Sequence, residues 1–142
     1  MLYSHFGPIW STSYGHHLWT FHAGREFTYH DVLLPPWCHL LLTESEIRDL
    51  LARQFRSDTA AHLAAFVCHS EDQNQLFFDD YERIVAESPF ETVFFKGYDA
   101  PDLAAKYPSA QSPGLLDELH RRYPERSGFL YDGITLLLRK SA

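Results

Sequence analysis

The period of the hydrophobic pattern changes along this chain, and the order of those changes constrains the fold more than any other feature. The first quarter alternates with a strand-like period of two. The middle repeats at helical spacing, and the last third mixes both. Strand and helix patterns come in blocks, without strict strand–helix–strand alternation. That order predicts an α+β domain with helices packed on one face of a mainly antiparallel sheet. The 142 residues fit one domain, 1–142, large enough to hold a core without disulfides or a structural metal.

Residues 16–32 read as a hairpin. With Ala23-Gly24-Arg25 as a three-residue loop, Phe21 faces Phe27 and Trp19 faces Tyr29 on one side. His22 faces Glu26, Thr20 faces Thr28 and Leu18 faces His30 on the other. One face is then aromatic and the other mostly polar, as a half-buried sheet requires, so the aromatic face is expected to be buried. Leu33-Leu34-Pro35-Pro36-Trp37 ends the unit, because consecutive prolines cannot continue a central strand.

Thr43-Glu44-Ser45-Glu46 is a capping box, and Ile47, Leu50, Leu51 and Phe55 follow at helical spacing. Residues 58–68 are almost uniformly apolar. Their alanines favour a buried helix, while Ala65 to Cys68 also fits a strand. After a polar loop from Ser70 to Gln75, the residues Leu76, Phe77, Tyr81, Ile84 and Val85 mark an amphipathic helix stopped by Ser88-Pro89. Phe90 to Lys96 reads as a strand, and Pro101–Tyr107 and Pro113–Tyr123 as short helices. Phe129–Tyr131 and Ile134–Arg139 read as strands around an Asp132-Gly133 turn.

Charge and cysteine content narrow the function classes. The net charge of −7 disfavours a nucleic-acid partner, which would need clustered Lys and Arg. Protonating all nine histidines would reverse the sign of that charge, so the surface potential depends on pH between about 5 and 7. The two cysteines, Cys38 and Cys68, sit in apolar runs and fit a reducing, cytoplasmic setting better than a disulfide framework. The first residues lack the pattern of a signal peptide, and no apolar run is long enough to span a bilayer.

No motif for metal, nucleotide or nucleophilic catalysis is present, so neither a metal nor a cofactor is expected. The histidines lack zinc-site spacing, and the adjacent ligands in Cys38-His39 and Cys68-His69 would point apart. Two candidate sites remain. In the first, Glu71, Asp72, Asp79, Asp80 and Glu82 form an acidic surface for a basic protein partner, with Phe78 as an exposed aromatic contact. The chain then has the general character of immunity proteins, which neutralise toxic nucleases: short, acidic, aromatic-rich and without motifs. This is an analogy of composition and not a family match. In the second, His17 and Asp31 face each other beside Tyr29 as a general base and its orienter. The chain would then be a small hydrolase or isomerase with a sheet-lined pocket. The first reading is preferred, because no nucleophile accompanies the His-Asp pair.

Overall fold

A computed structural model describes residues 1–99 and 113–140. Strand β1 (Leu2–Phe6) opens the chain, and β2 (Trp19–His22) and β3 (Arg25–Thr28) form a hairpin that runs into a 3-10 turn at Tyr29–Asp31. Helices α1 (Cys38–Leu41), α2 (Glu44–Leu51), α3 (Ser57–His69) and α4 (Phe78–Glu87) follow. Strand β4 (Phe90–Tyr98), helix α5 (Pro113–Arg122) and strand β5 (Gly133–Lys140) complete the described order. The helix expected at Pro101–Tyr107 lies outside the described residues.

Antiparallel sheets and helices make this an α+β fold. The larger sheet has the order β1-β5-β4, with β5 antiparallel to both neighbours. Its period of two places Ile134, Leu136 and Leu138 on one face, where Ile9 and Phe78 complete the cluster and Tyr81 and Val85 of α4 pack against it. The other face carries the row Tyr3, Leu137 and Phe94, with Tyr3 and Phe94 exposed.

The hairpin forms, but with a different register from the one expected. Its loop is the two-residue Ala23-Gly24, with positive φ of 50° and 82°, the signs a primed turn demands. The partners are therefore Trp19 with Thr28, Thr20 with Phe27, Phe21 with Glu26 and His22 with Arg25. Shortening the loop by one residue moves one strand's side chains to the opposite face. Phe27 thus packs inward with Leu18, while Trp19 and Phe21 are 53% and 68% exposed. The buried aromatic face of four is not formed.

The inward face of the hairpin rests on α2 and α3. Leu18, Phe27, Ile47, Leu51, Ala60 and Leu63 share one core cluster. Residues 58–68 belong to a 13-residue helix, which settles the helix-or-strand ambiguity. Helix α2 starts where the capping box predicts, with Thr43 Oγ1 accepting from the Glu46 N–H at 3.3 Å and Glu46 accepting from the Thr43 N–H at 2.8 Å. A third cluster of Tyr14, Trp37, Leu40, Phe77, Leu119 and Phe129 joins α5 to the long segment before β2.

Phe129–Tyr131 is not a strand, and no hairpin turns at Asp132-Gly133. Asp132 is instead a buried tie point. Its carboxylate accepts from the hydroxyls of Thr12, at 2.9 Å, and Tyr14. Its N–H donates to the Tyr98 carbonyl at 2.8 Å, and its carbonyl accepts from the Ile9 N–H at 3.0 Å. The two hydroxyl bonds satisfy a carboxylate that burial would otherwise penalise, and the two backbone bonds use the position in place of a turn.

Candidate binding surface

Helix α4 shows why the acidic segment is not a uniform patch. Asp80 sits at the third helical position and accepts from the Phe77 N–H at 3.0 Å, closing the first turn. The same carboxylate receives Arg126 at 2.8 Å and lies 3.7 Å from Arg83. Burial opposes its ionisation, but the Arg126 hydrogen bond and the Phe77 N–H outweigh it and hold the carboxyl below its ordinary value. Asp79 accepts from the backbone N–H of Ser127 at 2.8 Å and from its hydroxyl. These two acids therefore fasten α4 to the 126–127 segment. Glu71, Asp72 and Glu82 are exposed.

Phe78 does not stand outside the helix as expected. It is only 7% exposed and packs against Phe95 and Tyr131, with ring centroids 5.6 and 4.7 Å away. Gly128 makes this possible, since a Cβ there would lie 2.6 Å from the Phe78 Cβ. The α4 aromatics find room because the chain around Ile9 and residues 127–131 covers the first turn, a tertiary contact that helical periodicity does not record.

The expected His17–Asp31 pair is not formed either. Asp31 turns to Thr28, accepting from its N–H at 2.8 Å and its hydroxyl at 3.3 Å, and so caps the 3-10 turn. His17 has φ of 43°, is half-buried, and lies with its ring 5.4 Å from Tyr29. Burial lowers its pKa, so it is neutral at pH 7. Tyr29 is an aromatic hub: it stacks on buried Tyr14 at 5.7 Å and meets exposed Trp19 at 6.3 Å. Burial raises the Tyr29 pKa.

His17 and Asp72, taken from the two separate candidate sites, line one cleft of about 250 Å³. Phe6, Gly7, Pro8, Trp10 and Gly15 form one side, and Gln73, Asn74, Gln75 and Tyr81 the other. The 72–75 loop is held to α4 by Asn74, whose Nδ2 donates to the Tyr81 hydroxyl at 2.7 Å while its Oδ1 accepts from the Leu76 N–H at 3.1 Å. Two further histidines bond to cleft residues, His16 to Gln73 and His39 to Trp10. The Leu18 N–H donates to His16 Nδ1 at 3.1 Å, and His39 Nε2 donates to the Trp10 carbonyl at 2.7 Å. His16 Nε2 and His39 Nδ1 are buried without hydrogen-bond partners.

The ionisable side chains that line the cleft among the described residues are His17, Asp72 and the Tyr81 phenol. Among the described residues, no group of three His, Cys, Asp or Glu side chains is placed to hold a metal ion. Cys38 is buried in the apolar core, and burial pushes its thiol up to about 12; His69 pairs with Glu44 at 2.8 Å. No described helix is long and apolar enough to cross a membrane. The exposure of Trp19 and Phe21 escaped sequence reasoning, and only the positive-φ preference for glycine late in a hairpin loop pointed toward it. Comparison with known proteins leaves the chain to its own geometry: no protein-family model, curated protein or solved structure matches it.

Proposed function

We propose that this chain is a small acidic protein-binding protein that docks a basic partner, in the manner of an inhibitor or immunity protein neutralising a toxin. The outward face of the hairpin carries the proposal. Trp19 and Phe21 project from one side of a two-stranded ladder and are 53% and 68% exposed. Aromatic side chains held outward by paired strands are the residue type and the rigidity that interface anchors use. The Trp19 indole donates to Glu26 at 3.1 Å, which orients the ring beside a carboxylate. Through Tyr29 and His17 the aromatic face runs to the Asp72 cleft.

The net charge of −7 and the exposed Glu71, Asp72 and Glu82 favour a basic protein over a nucleic acid or a membrane. The free thiols of Cys38 and Cys68 suit a cytoplasmic setting.

The test is affinity capture of the tagged chain from its native host, then calorimetry with the retained partner. Trp19→Ala is expected to weaken binding by about 2 kcal/mol, roughly thirtyfold, and Phe21→Ala by a comparable amount. Circular dichroism of both variants should match the wild type, because neither ring is part of the core. Retention of the same partner with undiminished affinity by both variants would refute the proposal.

A further inference from the structure

The cleft between the 7–17 segment and the 72–75 loop has a polarity that selects its occupant. Among the described residues, Asp72 and His17 are the ionisable groups in its wall besides the Tyr81 phenol, and no Lys or Arg lines it. His17 is neutral at pH 7 because burial lowers its pKa, so the formal charge there is the Asp72 carboxylate. Gln73 is fixed in the wall, where its Nε2 donates to the His16 carbonyl. Trp10 and Tyr81 add aromatic surface, which attracts cations through the ring quadrupole.

Two further features are those of a built site. His17 and Gln75 both hold left-handed backbone conformations, with φ of 43° and 51°, and both line this one cleft. Non-glycine residues kept there cost free energy that the surrounding structure must offset, and such positions cluster at ligand sites. The Asn74–Tyr81 bond holds the loop to α4. The volume of about 250 Å³ holds roughly eight water-sized groups, enough for a guanidinium or ammonium head with a short alkyl arm.

We propose that this cleft is a binding site for an organic cation, a guanidinium or primary ammonium group that donates to Asp72 and lies against Trp10. An anion would meet the Asp72 charge with no Lys or Arg among the described lining residues to compensate it. The cation has two sources: a free small amine, or an arginine or lysine side chain of the basic partner. In the second case the site rests on the protein-binding reading above; in the first it stands alone.

Titration with n-butylguanidinium and its near-isosteric neutral counterpart n-butylurea, followed by nitrogen–proton correlation NMR, separates these cases. The cation is expected to shift the Trp10 indole and the Gln73 and Gln75 side-chain amides saturably, with at least about tenfold preference over the urea. Asp72→Asn, a change at an exposed loop position, should abolish the preference while leaving the remaining spectrum intact. N-acetyl-arginine amide binding more tightly than n-butylguanidinium assigns the site to a protein-borne cation, and the reverse order assigns it to a free amine. Equal affinity for cation and urea, shifts centred away from the cleft, or no saturable shift up to tens of millimolar would overturn the proposal. These results would do so even if Trp19 and Phe21 still anchor a partner.

Discussion

Buried His16 and the partly buried His39 and His62 carry a pH dependence with a defined sign. His16 lies far below its ordinary pKa because of burial first and the neighbouring His39 second. Burial lowers His39 to about 4, and burial with His22 beside it lowers His62. A lowered folded-state value means that the unfolded chain takes up protons first. Stability is therefore full above the ordinary value of 6.5 and falls as pH drops toward the folded values. For His39 alone the span from 6.5 to about 4 corresponds to a loss of up to ~3 kcal/mol. Urea unfolding from about pH 7 to about pH 4 should show a steady fall in stability, and a flat profile would contradict neutral buried rings. Phe78 belongs to the same scale. Truncation to Ala should destabilise by about 3–5 kcal/mol, because it empties the space between Phe95 and Tyr131. Chemical denaturation measures this, and a cost below about 1 kcal/mol would place the ring outside the core.

Among the elements, the β2–β3 hairpin is where one residue of loop length decides a surface. Ala23 occupies a left-handed conformation that costs an alanine roughly 1–2 kcal/mol and that asparagine tolerates better. Ala23→Asn should therefore raise stability by about 0.5–1 kcal/mol and the midpoint of thermal unfolding by a few degrees, read by calorimetry. A neutral or destabilising effect would argue against the primed turn. Helix α2 is the contrasting case. Its start was legible because a capping box is local: the Thr43 and Glu46 side chains answer backbone groups within their own turn. The hairpin's existence was legible from alternation. Its register was not, since two-residue and three-residue loops both satisfy alternation and differ in which face meets the core. The choice falls to Leu18 and Phe27, which pack with α3 residues Leu63 and Val67.

Across the whole molecule, Asp132 ties the segment carrying Ile9, Thr12 and Tyr14 to Tyr98 at the end of β4 and to the start of β5. Burial and the Asp132 carboxylate both raise the Tyr14 pKa, so the phenol stays protonated and donating throughout the physiological range. Tyr14→Phe keeps the ring against Trp37 and Tyr29 but removes one donor to a buried carboxylate, at an expected cost of about 1–3 kcal/mol. Thermal unfolding of that variant measures it, and an unchanged midpoint would show that Thr12 and the backbone bonds suffice.

The sequence by itself determined the α+β class, the α2 cap, the amphipathic α4, the β4 and β5 segments and the acidic balance. Each of these depends on spacing within a few residues or on composition. Tertiary structure alone decided that Phe78 is covered and Trp19 is not, that Asp79 and Asp80 serve Ser127 and Arg126, and that Asp31 caps its own turn and leaves His17 to the cleft. The Asp79 and Asp80 contacts reach partners 48 and 46 positions away, and the exposure of Trp19 follows a one-residue register. A local hydrophobic pattern states that a residue wants a partner; the three-dimensional packing states which one it gets.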